Sequence, residues 1–185
     1  LNNYAYYARI TKCPLYLIHT TTRETLRELM RARADGVKII ANVESHYLVL
    51  DKDMAAINVP LRGAEEREVL WEALRTGVID CVSSDSIWEP VRPLEIVEKY
   101  GIKVTKNVWD GRYSWFNGSN GFMLPVMLSE GVNKGKISLE RLTEVCSANT
   151  AKAFGLYPKK GTISVGSDAD LVIVDLNRTK KVTRD

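Results

Sequence analysis

Only two histidines occur in the 185 residues, and each stands just beyond an apolar run. His19 follows Leu15-Tyr16-Leu17-Ile18, and the triplet Glu44-Ser45-His46 follows Val37 to Val43. A third run, Val78 to Val82, leads through Ser83-Ser84 to Asp85. Imidazole and carboxylate are suitable ligands for zinc-like divalent ions. In α/β folds reactive groups collect at the C-terminal ends of parallel strands. If the runs are such strands, His19 and Asp85 face one cavity. Each residue alone serves as readily as a turn residue or a helix cap, so the local sequence leaves both roles open.

The elements that must position these groups are legible in outline. Leu15 to Ile18 is a short continuous apolar run, as expected of a strand buried on both faces. Thr21 and Glu24 have the spacing of a capping box. The helix they open carries Leu26, Leu29 and Met30 on one stripe and ends at Gly36. Val37 to Val43 then makes a second strand, giving a βαβ unit with parallel strands. Ala64 to Thr76 is an amphipathic helix ended by Gly77, and Val78 to Val82 is the third strand. Further helices are expected at about Pro93 to Lys99, Phe122 to Glu130 and Ser138 to Ala148, the last with Ser138 as its cap. Gly161 to Gly166 and Leu171 to Val174 read as two strands joined by a tight turn. Three parallel strands with helices fit either a small open sheet or part of a (β/α)₈ barrel, which needs about 250 residues when complete.

Composition narrows the partners. The chain has 26 basic and 23 acidic residues, a net charge of +3, and 45% apolar residues. That is a globular composition without the concentrated basic face of a nucleic-acid binder. Its longest uncharged run, Tyr113 to Ser129, holds Asn, Gly, Ser and Pro, so no membrane span is expected. The N-terminal residues lack the order of a signal peptide. Cys13, Cys81 and Cys146 are odd in number and widely spaced, as in a reduced, cytoplasmic protein.

Several segments together resemble the cyclic amidohydrolases: dihydropyrimidinase, hydantoinase, allantoinase and dihydroorotase. Leu15 through Thr22 is similar to that family's sixth-strand signature, and Asn58-Val59-Pro60-Leu61-Arg62 resembles its N-P-P-L-R segment. Trp71-Glu72-Ala73-Leu74, Gly77 and Ser83-Ser84-Asp85 follow at the family's spacing. Leu124 through Val132, Ala151 through Leu156, and Gly161-Thr162-Ile163 with Gly166 through Asp175 complete the likeness over nearly the whole chain. The resemblance implies an α/β fold: the C-terminal half of a (β/α)₈ barrel over residues 1–156, then the first strands of a small β-sandwich over 157–185. It implies metal-dependent hydrolysis of a C–N bond in a cyclic amide or ureide, with two divalent ions, zinc in character, that activate water and polarise the carbonyl. By the same resemblance His19 is a metal ligand, Asp85 is both ligand and proton shuttle, and Asn58 and Asn117 contact substrate. A small cyclic amide as partner and a homo-oligomeric parent are expected with it.

The departures from the family pattern are equally informative. The family's H-x-H, its bridging carboxylated lysine and its fifth-strand histidine have no counterpart here and would lie upstream of Leu1. The chain therefore reads as a fragment, or as a half-barrel subunit completed by a separate chain. A non-catalytic scaffold on the same fold is the competing class. The usual Asp-His after the eighth strand is Asp85-Ser86, so Ser86 borders the substrate pocket in place of an imidazole. A shorter, uncharged side chain leaves a roomier pocket less suited to an anionic ring such as dihydroorotate. His46 and Tyr47 survive from the family's E-T-C-P-H-Y-L, with His46 expected to be structural. Trp88, Trp109 and Trp115 crowd the segment from Ser86 to Asn120, which reads equally as a lid over a flat ring or as a packing element.

Overall fold

A computed structural model describes residues 1–54, 59–86 and 121–181. Three strands, β1 (Leu15–Leu17), β2 (Ile39–Glu44) and β3 (Cys81–Ser83), form one sheet in the order β1-β2-β3. Both pairings are parallel, with Leu15 opposite Ile39 and Asn42 opposite Cys81. All three C-terminal ends therefore share one edge. This is the α/β arrangement with a parallel sheet that the apolar runs imply.

The first helix, α1 (Asn2–Thr11), was not foreseen, because its sequence NNYAYYARIT has no regular aliphatic stripe and it buries only Ala8. Helix α2 (Arg23–Ala34) joins β1 to β2 and buries Leu26, Leu29 and Ala32. Its cap is Thr22 rather than Thr21: the Thr22 hydroxyl accepts from the Thr25 N–H at 3.2 Å. Thr21 is instead buried, with its hydroxyl 3.5 Å from the Arg62 Nε. Helix α3 (Ala64–Thr76) has the expected bounds, buries Leu70, Trp71, Ala73 and Leu74, and ends at Gly77 with φ +84°. The third strand starts later than its apolar run. Ile79 donates to the Ala73 carbonyl at 3.0 Å, so the run begins as a connector pinned to the end of α3.

Helix α4 (Met123–Val126) continues as a π-wound segment, Met127–Val132, in which Asn133 N–H reaches the Leu128 carbonyl at 2.9 Å. Helix α5 (Leu139–Thr143), capped by Ser138 as expected, likewise runs through a π-wound segment, Glu144–Ala148, into α6 (Asn149–Ala153). Single π turns are insertions that re-aim a helix face. Here the first one lays Gly131 on the Trp71 ring, where a Cβ would meet Trp71 Cζ3 at 2.9 Å and Ile137 Cγ1 at 3.2 Å. The helix expected at Pro93 to Lys99 lies outside the described residues.

No strand ladder forms among the described residues beyond Gly155, where two strands were expected. Their apolar side chains have nothing to cover them: Val165 and Ile173 are almost fully exposed. Two short strands without a packed face are not stable alone. The segment is tied down instead by polar contacts, including Lys160 to Asp168 at 3.0 Å and Ser167 Oγ to the Pro158 carbonyl at 2.7 Å.

Gly131→Ala should destabilise the fold by about 1–3 kcal/mol, because the added methyl overpacks a rigid indole. Denaturant unfolding followed by far-ultraviolet circular dichroism checks this. An unchanged midpoint would mean that the π turn does not set the α3–α4 distance.

Candidate active site

The C-terminal edge of the sheet is polar although it is buried. Thr20, Thr21, Asn42, Glu44, Ser45 and His46 are all under a tenth exposed, and all lie just beyond β1 or at the end of β2. Asn42 and Glu44 are two apart and share one face of β2. Asn42 Nδ2 donates to Glu44 Oε1 at 2.8 Å and to Ser83 Oγ at 2.9 Å, linking β2 to β3. On the other side Glu44 meets β1: Oε1 lies 3.4 Å from the His19 backbone N and Oε2 lies 3.3 Å from His19 Nδ1. Tyr47 Oη is 3.5 Å from the same Nδ1 and donates to the Val59 carbonyl at 3.3 Å.

His19 and Asp85 occupy equivalent places, one after β1 and one after β3, with Glu44 on the strand between them. Both adopt left-handed backbone, with φ +56° and +51°. Lys12, the cap of α1, is the third non-glycine residue that does so among the described residues. Such conformations strain a residue with a side chain, although His and Asp tolerate them better than most. Asp85 is exposed and His19 partly so.

The electrostatics follow from burial. Desolvation pushes the Glu44 carboxyl up from its ordinary value; the His19 imidazole and backbone N–H oppose that, while the Asp85 charge adds to it. The Tyr47 phenol is also raised, first by burial and then by the Glu44 and Asp85 charges. Burial pushes the His46 imidazole down to about 4, with Asp85 acting the other way. His46 packs against Tyr47 with ring centroids 4.2 Å apart.

The donor chemistry suits a divalent cation. Imidazole and carboxylate stand at one sheet edge, and the buried Glu44 Oε2 has no hydrogen-bond partner among the described residues apart from its ion pair with His19. No group of three or more His, Cys, Asp and Glu side chains among the described residues could hold a metal ion alone. Ser86 follows Asp85 directly, its N–H 3.3 Å from Ser84 Oγ. Asn58, Asn117, Trp88, Trp109 and Trp115 lie outside the described residues. Glu44 as a partner of His19 was not foreseen. The signal was there, in two polar residues at strand spacing, but their partner lies 25 residues away.

Residues 8–185 match the profile of the Amidohydrolase family. A D-hydantoinase of Ralstonia pickettii is 36% identical over 180 residues, covering 91% of this chain and 37% of that protein. An L-hydantoinase of Paenarthrobacter aurescens is 38% identical over 179 residues, 92% of this chain and 37% of that protein. The solved L-hydantoinase (dihydropyrimidinase) from Arthrobacter aurescens superposes with a TM-score of 0.82 at 34% identity, over 98% of this chain and 40% of that one. The chain thus spans 37% of the length of these curated relatives. No described helix is long and apolar enough to cross a membrane.

His46 gives the site a pH signature. Its folded value near 4 lies below the ordinary 6.5, so between these values the unfolded chain binds more protons and stability falls as pH drops. The loss is on the order of 3 kcal/mol across that window. Glu44, being raised, contributes in the opposite sense as pH climbs above 4.5. His46→Gln should therefore flatten the fall in melting temperature between pH 7 and pH 4.5 in the metal-free protein. Parallel pH profiles for the two proteins would count against a neutral, buried His46.

Proposed function

This chain belongs to the amidohydrolase family, and we propose that it forms the C-terminal part of a metal-dependent hydrolase opening a C–N bond in a neutral cyclic amide or ureide. The observation that carries this is the placement of His19 and Asp85 at one sheet edge, after adjacent-but-one parallel strands, in strained backbone on either side of Glu44. In this role His19 binds a divalent ion, zinc in character. Asp85 is both a ligand and the proton carrier. The remaining ligands, a carboxylated lysine among them, come from sequence N-terminal to Leu1. Residues 1–156 then complete a (β/α)₈ barrel and residues 157–185 join a β-sandwich, whose other strands would cover Val165 and Ile173.

Two bound ions would supply an acidified water and a polarised carbonyl oxygen. The work of this chain is proton management and substrate placement. Asp85 accepts the proton lost by the attacking water and delivers it to the ring nitrogen as the C–N bond breaks, so it ends the cycle ionised, as it began. Asn58 and Asn117 hold the polar atoms of the ring. Ser86 leaves the space beside Asp85 open and uncharged, which favours a hydantoin or dihydropyrimidine over an anionic dihydroorotate. The names of the hydantoinase relatives support the same choice.

In the full-length, metal-loaded protein, Asp85→Asn should lower kcat at least about 10³-fold while substrate still binds, because the amide cannot carry the proton. Near-normal turnover in Asp85→Asn, or no stoichiometric metal in the wild type, would return the chain to a scaffold role. Assays of dihydrouracil, a phenyl-substituted hydantoin, allantoin and dihydroorotate side by side test the substrate choice. Dihydroorotate as the best substrate would overturn the argument from Ser86.

A further inference from the structure

We propose that Glu44 is the positioning residue of this site: its carboxylate holds the His19 imidazole in the Nδ1–H form, leaving the Nε2 lone pair for a divalent cation. The proposal rests on His19 being a ligand, as argued above, and gives Glu44 a role that the likeness of motifs does not assign.

The oxygens around Nδ1 argue for one tautomer. Each nitrogen of a neutral imidazole either donates or accepts. His19 Nδ1 faces two oxygens, Glu44 Oε2 at 3.3 Å and Tyr47 Oη at 3.5 Å. Tyr47 has one phenolic proton and directs it to the Val59 carbonyl. Its oxygen therefore meets Nδ1 with a lone pair, as the carboxylate does. With Glu44 ionised, both oxygens turn lone pairs toward Nδ1, which assigns the proton to Nδ1 and leaves Nε2 bare.

The same carboxylate also grips the backbone. Oε1 accepts from the His19 N–H at 3.4 Å while Oε2 meets the ring, so one group constrains both the left-handed φ of +56° and the imidazole. Glu44 is itself immobilised, because Asn42 Nδ2 bonds Oε1 at 2.8 Å and reaches Ser83 on β3 at 2.9 Å. His19 itself lies in the loop after β1, so its hold comes from the rigid strand that carries Glu44. Carboxylate partners of metal-bound histidines set ring orientation and basicity, and their loss typically costs about 10–100-fold in metal affinity.

The test uses the full-length protein with ¹⁵N-labelled histidine, stripped of metal. Long-range ¹H–¹⁵N spectra, with His19 assigned by its loss in His19→Gln, should show Nδ1 protonated and Nε2 bare. In Glu44→Gln that preference should be lost, and chelator competition should show metal affinity at least about tenfold weaker. A wild-type His19 protonated on Nε2 would overturn the proposal. So would a Glu44→Gln protein with unchanged tautomer and affinity. If Glu44→Gln does not fold, the wild-type spectrum still decides. A wild-type protein that binds no divalent ion would overturn the hydrolase reading and the ligand role of His19 together, whereas a metal-binding protein with His19 protonated on Nε2 would overturn the positioning role of Glu44 alone.

Discussion

A carboxylate shut away from water is the constraint around which this sheet is arranged. Glu44 is 2% exposed, and an ionised carboxylate in such a place costs several kcal/mol unless donors replace its hydration. Donors arrive from two places. His19 on the β1 side supplies its backbone N–H and sets its imidazole 3.3 Å from Oε2, and Asn42 supplies an amide that is shared with Ser83 of β3. Each contact requires a particular strand neighbour at a particular height. A slip of one residue in β2 would turn Asn42 and Glu44 to the face that Ala41 and Val43 now occupy, away from His19 and Ser83. The polar edge thus specifies register as firmly as the apolar core does.

The opposite end of the sheet is secured differently. Arg33, near the end of α2, donates to the Ile39 carbonyl at 2.8 Å and the Val78 carbonyl at 2.7 Å and pairs with Asp80. Asp80 in turn accepts from the Ala41 N–H at 2.7 Å. Arg141 adds bonds to the carbonyls of Leu74 and Ile79 at 2.7 and 2.8 Å. These guanidinium groups use their donors on carbonyls left over where helices end and strands begin, so that edge is tied together by charge-assisted bonds. At the other edge the donors and acceptors are not all consumed: Thr20 Oγ1, Asn42 Oδ1 and Ser45 Oγ are buried without a hydrogen-bond partner among the described residues. In complete (β/α)₈ barrels stability belongs to the N-terminal face and chemistry to the C-terminal one, and the two edges of this three-stranded sheet differ in the same direction.

What was legible in the sequence follows from range. The continuous apolar runs, the stripe of α2 and the bounds of α3 depend on neighbours within a few residues, and they were readable. Thr22 rather than Thr21 as the cap was not, because both have the right chemistry and only the long contact of Thr21 with Arg62 separates them. The π turns were invisible for a similar reason. Nothing local demands them, and Gly131 makes sense only with Trp71 beneath it. The two expected strands past Gly155 carry a correct pattern of β-branched residues but find no partner among the described residues. Pattern proposes a strand; only pairing makes one. His19, Glu44 and Asp85 were readable as polar residues at strand ends, whereas the contact between Glu44 and His19 was not, because it spans 25 residues.

The turn reading and the functional reading of the strand ends separate on what each leaves unexplained. Left-handed backbone at His19 and Asp85 by itself suits a turn, and both are residue types that adopt it at modest cost. A helix cap is excluded for His19, since Thr22 caps α2. A turn residue, however, has no use for an imidazole held against a buried carboxylate and a phenol, and those contacts are what the structure gives His19. Asp85 is felt by the same groups: its charge raises both Glu44 and Tyr47. Repulsion between Asp85 and Glu44 is a cost that folding alone would remove by substitution, because an exposed turn position accepts Asn or Gly at least as well. Burial is the strongest influence on Glu44 and the Asp85 charge the weakest, but both act in the same direction. His19 offers at most one positive charge, and only when protonated, whereas a divalent cation at the same edge would relieve both carboxylates at once.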